Sequence, residues 1–272
     1  MNLSKQQFLD SKHKVITIIG MSGVGKTTLC HKLSRKNWFH YSGDYRIGTR
    51  YLSEPIMDNI KAKAMKVPFL RDLLLSDSIY LANNTSFHNL APVTTFLGKL
   101  GDRNSGGMQI DKFKARQDLH RQAEIRAMLD VPAFIKKSLK IYNYPHFVND
   151  VGGSICEVAT EEVLQTLAKH SIILYLKANQ EIEQEIIQRA ITHPKPMYFR
   201  PDFLDEYYSI YKKQHSSIIP DEFSRWIFPH LIEHRKPLYQ KIADDYGYTL
   251  DAGNIENIKD ESELIEWISE VL

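Results

Sequence analysis

The segment GMSGVGKTT, from Gly20 to Thr28, has the clearest chemistry in the chain. Its glycines let successive backbone N–H groups turn towards phosphate oxygens, and the helix expected after it presents its positive end to the same anion. Lys26 would bridge the β- and γ-phosphates of a nucleotide, and Thr27 would ligate magnesium through its hydroxyl. We predict that ATP is bound by Gly20, Ser22, Gly23, Val24, Gly25, Lys26, Thr27 and Thr28.

The residues on either side place this segment between a strand and a helix. Val15–Ile19 is β-branched and almost wholly apolar, as expected of a parallel strand covered on both faces. Leu29 and Leu33 recur at helical spacing directly after the segment. An ordinary glycine-rich turn would match the same pattern, but a buried strand before it and an amphipathic helix after it are the context that a phosphate loop requires.

Two aspartates stand where predicted strands end. At the carboxyl edge of a parallel sheet, a carboxylate can accept the proton of an attacking hydroxyl or hold the water shell of magnesium. Asp44 is also compatible with a helix N-cap, and Asp150 with an Asx turn that starts a loop. We predict that Asp44 is catalytic and binds the acceptor, and that Asp150 is catalytic and shares the metal with Thr27.

Strands alternate with helices along the chain. Short apolar runs predict strands at 15–19, 38–42, 146–149, 172–176 and 248–250. Helices are expected over 3–10, 163–169, 180–190, 203–213, 221–244 and 261–271. This order implies an α/β class fold, a parallel sheet of about five strands between two helical layers.

The stretch between the second and third strands is mostly helical in pattern. We therefore divide the chain into a core at 1–50 and 145–272 and a helical insertion, or acceptor-binding lobe, at 51–144.

Four segments resemble the shikimate kinase and gluconate kinase group of small P-loop kinases, within the nucleoside monophosphate kinase superfamily. They are GMSGVGKTT at 20–28, FHYSGD at 39–44, VNDVGG at 148–153 and RKPLYQKIAD at 235–244. The resemblance implies a P-loop fold with strand order 2-3-1-4-5 and an acceptor held by Asp44 and Arg235. It also implies a glycine cradle for the substrate at Gly152 and Gly153. The region 51–144 has no match, so the identity of the acceptor does not transfer from the family.

Kinases of this group close a basic lid over ATP, and the corresponding interval here is 189–204. Arg189, Lys195 and Arg200 lie in it. A lid cation would stabilise the charge that develops on the transferred phosphoryl group and would exclude water. We predict catalytic roles for Arg189 and Arg200, although a solvated basic loop explains each residue nearly as well.

Arginines before and within the unmatched region are candidates for contact with an anionic acceptor. We assign Arg46 to the acceptor site and leave the others open, namely Arg50, Arg71, Arg103, Arg116, Arg121 and Arg126.

Two further patterns have a simpler explanation. HLIEH at 230–234 matches the zinc-peptidase pattern H-x-x-E-H, but it adjoins Arg235 and few positions remain for a further ligand. We interpret it as a coincidence. One helical face is formed by Phe113, Gln117, His120 and Glu124. We expect this face to lie at the surface or to serve in packing, and not in chemistry.

The composition is that of a globular protein. Of 272 residues, 43% are hydrophobic and 25% charged, which excludes disordered and low-complexity classes. The net charge of +2 gives no sign of nonspecific nucleic-acid binding, and two cysteines cannot form a disulfide framework. We expect a cytoplasmic protein, because neither a signal peptide nor a membrane-spanning run is evident.

These observations together predict a kinase that transfers the γ-phosphoryl group of MgATP to a hydroxyl of a small, anionic acceptor. The alternative is a P-loop ATPase or nucleotide switch that acts on a protein or nucleic-acid partner through the helical insertion. The sequence leaves the oligomeric state open.

Overall fold

The computed structural model describes residues 4–33 and 35–272. Its five strands are β1 Val15–Ile19, β2 Trp38–Ser42, β3 His146–Asp150, β4 Ile172–Lys177 and β5 Gly247–Asp251. All neighbouring strands run parallel, in the order β2-β3-β1-β4-β5. The predicted α/β fold and its strand order 2-3-1-4-5 are therefore confirmed.

Helices fill the connections between the strands. Those before β3 are α1 Lys5–Asp10, α2 Lys26–Lys32, α3 Gly43–Arg46, α4 Ser53–Ala64, α5 Pro68–Leu75, α6 Ala91–Leu97, α7 Ile110–Leu129 and α8 Val131–Lys140. Those after β3 are α9 Ile155–Val158, α10 Glu161–His170, α11 Gln180–Thr192, α12 Pro201–Gln214, α13 Pro220–Tyr246 and α14 Glu261–Ser269. A π-helical turn at Ile47–Tyr51 joins α3 to α4, and 3₁₀ turns lie at Arg103–Ser105 and Ala252–Asn257.

Most predicted helices are present with ends shifted by a few residues. The first was expected to begin at Leu3, which lies outside the described residues; Ser4 caps α1 by accepting a hydrogen bond from the amide of Gln7. Thr160 caps α10, because its hydroxyl accepts a hydrogen bond from the amide of Val163. No helix in the described ranges is long and apolar enough to cross a membrane.

The central strands are buried on both faces, as their apolar sequences require. Ile16, Ile18, Val148 and Leu174 are fully inaccessible to solvent. Polar contacts also cross this core: the side chains of Thr17 on β1 and Ser171 before β4 lie 2.7 Å apart, and Asn149 Nδ2 on β3 donates to Thr17 Oγ1 at 3.3 Å. Such buried hydroxyls are tolerated because they are hydrogen-bonded to each other.

The region 51–144 packs against the rest of the chain at two places. Ile56 and Phe96 belong to the main core around the sheet. Phe113 of α7 belongs to a second apolar cluster, where it packs beside Phe199 and Phe203. Helix α7 thus connects both cores, while the domain boundary at 51 and 144 stays a prediction.

Because Leu174 of β4 is fully buried in the main core, its truncation tests the packing. We expect Leu174→Ala to lower the free energy of unfolding by about 2–5 kcal/mol, through lost apolar burial and the cavity left behind. The control is Leu75→Ala, since Leu75 is 70% exposed and its loss should change the free energy by less than about 0.5 kcal/mol. Urea titration of both variants measures the difference, and equal stabilities would contradict the described core.

Candidate active site

The loop between β1 and α2 has the backbone geometry of an anion-binding nest. Gly20, Gly23 and Gly25 have φ angles of 149°, 89° and 105°, in the region that residues with side chains rarely adopt. A Cβ atom at Gly25 would also lie 2.9 Å from Ile255 Cδ1. Glycine is therefore required here, and positive φ angles of this kind are the backbone curvature that a phosphate-binding loop needs.

Lys26 lies inside this loop. Its buried Nζ donates hydrogen bonds to the carbonyls of Gly20, at 2.7 Å, and Met21, at 3.0 Å. Burial lowers the pKa of the Lys26 ammonium, and the carboxylates of Asp150 and Asp44 oppose that effect. The cation is thus held at the loop that would receive phosphate.

Thr27 and Asp150 come together next to the loop, as predicted. Thr27 Oγ1 donates a hydrogen bond to Asp150 Oδ2 at 3.1 Å. Thr27 and Thr28 are exposed at the start of α2, and Asp150 is the last residue of β3. A hydroxyl and a carboxylate oxygen are ligands that suit Mg²⁺, which keeps several of its waters. The pair therefore fits a magnesium ion.

Asp44 is not the N-cap of the helix that follows β2. That position belongs to Ser42, whose hydroxyl accepts a hydrogen bond from the amide of Tyr45. The carboxyl of Asp44 therefore does not cap the helix, and Asp44 lines the cavity beside the phosphate loop. Burial, and then the charge of Asp150, raises the pKa of Asp44 to about 6.

Gly152 allows two carboxyl groups to approach the same stretch of backbone. A Cβ atom at Gly152 would lie 2.9 Å from Asp44 Oδ1 and 2.9 Å from Glu124 Oε1. Glu124 is fully buried, and its Oε2 accepts a hydrogen bond from Ser154 Oγ at 2.6 Å. Burial raises the pKa of Glu124 to about 8, so this group is mostly protonated at neutral pH.

The assignment of the α7 face to the surface is wrong, and its assignment to packing is right. Phe113, Gln117, His120 and Glu124 are all buried. Glu124 adjoins the candidate site, which the sequence analysis missed. In the sequence, only the apolar residue Phe113 signalled that this helix face is buried. Nothing in the sequence links Glu124 to its hydrogen-bond partner Ser154, which lies 30 positions away.

A cavity of about 430 Å³ joins the phosphate loop to the predicted acceptor side. Ser22 and Gly23 of the loop line it, together with Asp44, His120, Arg189 and Lys195. Burial and the charge of Arg235 lower the pKa of His120 to about 4, so that ring is neutral.

Arg235 lies at the wall of this cavity, but its hydrogen bonds are made to the protein. Nε donates to Glu157 Oε2 at 2.7 Å, Nη1 to the carbonyl of Gly153 at 2.7 Å and Nη2 to the carbonyl of Tyr198 at 2.8 Å. Nη2 also contacts Glu157, and both side chains are buried. The geometry makes Arg235 a clamp between the Gly153 loop and the Tyr198 segment, and binding of the acceptor by it stays a prediction.

The other predicted cations occupy different positions. Arg189 reaches the phosphate loop and donates from Nη2 to the carbonyl of Gly23 at 3.1 Å. Arg200 pairs with Asp202, and Arg46 pairs with Asp130 at 2.7 Å. Neither Arg200 nor Arg46 lines the cavity.

The residues of the H-x-x-E-H pattern are engaged elsewhere. His230 packs against Tyr207, and His234 against Phe203. Glu233 pairs with Lys236 at 2.9 Å. Within residues 4–33 and 35–272, these three side chains form no group with metal-binding geometry, which supports the interpretation as a coincidence.

Glu124 should leave a signature in the pH dependence of stability. Its folded pKa of about 8 exceeds the ordinary value of 4.5, so the folded protein retains a proton that the unfolded chain releases. Its contribution to stability is full below pH 4.5 and is lost as pH rises towards 8, by at most about 1.4 kcal/mol per pH unit. We expect Glu124→Gln to remove most of the fall between pH 6 and 8 in urea titrations.

The control for that experiment is Glu256→Gln, because Glu256 is exposed. This variant should retain the pH dependence of the unmodified protein. An unchanged slope in Glu124→Gln would show that Glu124 is ionised in the folded state.

No protein-family model and no curated protein sequence matches the chain. Similar solved structures include shikimate kinases, the group to which the sequence resemblance pointed. The enzyme from Bacteroides thetaiotaomicron aligns with a TM-score of 0.44 and 13% identity, over 94% of this chain and 95% of its own. The shikimate kinase from Acinetobacter baumannii, in complex with shikimate, aligns with a TM-score of 0.40 and 14% identity, over 98% and 93%. The shikimate kinase from Aquifex aeolicus aligns with a TM-score of 0.27 and 14% identity, over 81% of this chain and 97% of its own. The P-loop α/β fold of this chain rests on its own strand order and phosphate loop.

Proposed function

We propose that the protein is an ATP-dependent phosphotransferase that moves the γ-phosphoryl group of MgATP to a hydroxyl of a small acceptor. One observation carries the proposal. A single cavity is lined by the phosphate-loop residues Ser22 and Gly23 and by the carboxyl of Asp44. Donor and acceptor can therefore be held side by side in one cavity.

ATP binding is assigned to the loop at 20–28. The loop amides and Lys26 would hold the phosphates, and Arg189 would contact them from the opposite side. Thr27 and Asp150 would hold Mg²⁺, which neutralises charge on the phosphate oxygens when bound.

Asp44 is the proposed general base. It would accept the proton of the acceptor hydroxyl while that oxygen attacks the γ-phosphorus and the bond from phosphorus to ADP breaks. A pKa of about 6 leaves Asp44 ionised at neutral pH and still able to take up a proton. This value is closer to the working pH than that of an ordinary aspartate.

The cavity indicates the class of acceptor. Its volume of about 430 Å³ suits a small molecule better than a polymer. Lys195 and Arg189 line it and favour a negatively charged group, whereas the charge of Arg235 is already balanced by Glu157. We therefore assign recognition of acceptor charge to Lys195 in preference to Arg235.

One observation favours the alternative, an ATPase driven by a macromolecular partner. Helix α5 buries none of its residues, and Phe69 and Leu75 are 71% and 70% exposed. A partner that covers this helix would explain the exposed apolar surface.

The replacement Asp44→Asn tests the proposal. Phosphorus NMR of the protein with MgATP and a desalted metabolite extract should show a new phosphoester signal. Loss of the base should slow its appearance by about 100- to 10,000-fold, with ATP binding retained in calorimetry. The control is Asp118→Asn on the exposed face of α7, which should keep the original rate.

Two outcomes would contradict this account. An unchanged rate in Asp44→Asn would remove Asp44 as the base. ADP and free phosphate without a phosphoester would favour the ATPase, as would hydrolysis stimulated by a protein or nucleic acid.

A second comparison distinguishes the two lid arginines. Arg189→Met should lower kcat about 100- to 1,000-fold, because Arg189 reaches the phosphate loop and would stabilise charge on the transferred group. Arg200→Met should have the smaller effect, since Arg200 pairs with Asp202 outside the cavity. Steady-state kinetics of both variants measure the difference, and a larger loss in Arg200→Met would reverse the assignment.

A further inference from the structure

Three metal-ligating side chains come together beside α2. Cys30 comes from α2, His40 from β2 and Asp150 from the end of β3. One ligand atom from each, a thiol sulfur, an imidazole nitrogen and a carboxylate oxygen, lies within 4.8 Å of the other two. This spacing allows all three to contact one ion after small side-chain movements.

His40 contributes a second, independent observation. Its Nε2 atom is buried and makes no hydrogen bond in the described structure. Asp150 Oδ2 lies 3.5 Å away and makes no hydrogen bond to it. A buried polar atom without a partner is costly, and coordination to a metal ion would satisfy it.

A cavity borders two of the three ligands. A cavity of about 280 Å³ is lined by Cys30 and His40 and also by His31 and His88. It shares no lining residue with the cavity that contains Asp44. Two of the three ligands therefore border a cavity that is separate from the proposed acceptor site.

We propose that Cys30, His40 and Asp150 form a binding site for a transition-metal ion of the Zn²⁺ class. Sulfur and imidazole ligands select such ions over Mg²⁺, which prefers oxygen. Binding displaces the thiol proton of Cys30 to solvent and forms a bond from metal to sulfur. Three protein ligands leave a fourth position for water, or for His31 or His88.

The site would be coupled to the phosphate loop through Asp150. The oxygen of Asp150 that lies nearest to His40 also accepts the hydrogen bond from Thr27. An ion held by Asp150 would withdraw that carboxylate from Mg²⁺. This consequence, unlike the site itself, rests on the proposed function, and it makes Zn²⁺ an inhibitor of ATP turnover.

Titration with Co²⁺, a spectroscopic substitute for Zn²⁺, tests the site directly. We expect a near-ultraviolet absorption band from cobalt–thiolate charge transfer that saturates at one ion per chain. Cys30→Ser should abolish the band, and His40→Gln should weaken binding by at least about 10-fold. Cys156→Ser is the matched control, because Cys156 lies outside the cluster, and it should keep the band.

The result that overturns the site is the absence of the band in the unmodified protein, or a band that persists in Cys30→Ser or disappears in Cys156→Ser. If Cys30→Ser does not fold, as judged by circular dichroism, His40→Gln decides, and unchanged Co²⁺ affinity in that variant overturns the site.

Turnover is measured separately. Zn²⁺ should inhibit ATP consumption by the unmodified protein and not by Cys30→Ser, each compared with its own zinc-free rate. A cobalt band without any ATP turnover would reject the proposed function and leave the metal site intact. Turnover that zinc does not change, in a protein that binds cobalt, would reject the coupling through Asp150.

Discussion

The constraint on which the rest of the structure depends is the parallel direction of all five strands. Parallel strands bring their carboxyl ends to one edge of the sheet, and that edge is where ligands bind in open α/β folds. Here the ends of β1, β2 and β3 carry the phosphate loop, Asp44 and Asp150. Because β3 lies between the other two, its terminal carboxylate can contact Thr27 from one side and His40 from the other.

Burial of acidic groups at this edge determines their chemistry. The carboxyl groups of Asp44, Asp150 and Glu124 favour the charge of Lys26, whereas burial of Lys26 disfavours it. The site balances these charges by keeping Glu124 largely protonated and by raising the pKa of Asp44 towards neutrality. The charge of Arg235 opposes the rise in the pKa of Glu124, while its hydrogen bonds to Glu157, Gly153 and Tyr198 hold the wall of the cavity in place.

The features that could be predicted from sequence are those with local signals. The apolar run at β1 and the glycine spacing after it identified the strand and the loop, and short strands followed from their composition. Contacts between distant residues had no such signal. Ser42, and not Asp44, caps α3, and Glu124 meets Ser154. His40 approaches Asp150 because β2 pairs with β3. The role of Arg235 as a clamp depends on Glu157 and Tyr198, which no spacing in the sequence connects to it.

The central claim is that the phosphate loop and Asp44 face each other across one reaction site. A crystal structure of the protein with MgADP and aluminium fluoride tests it most directly, because the fluoride takes the place of the transferred phosphoryl group. The account requires the β-phosphate within the loop at 20–25, Mg²⁺ beside Thr27 and Asp150, and the fluoride between Lys26 and Asp44. A nucleotide bound in the loop with its fluoride directed away from Asp44, or one bound elsewhere on the protein, would contradict it.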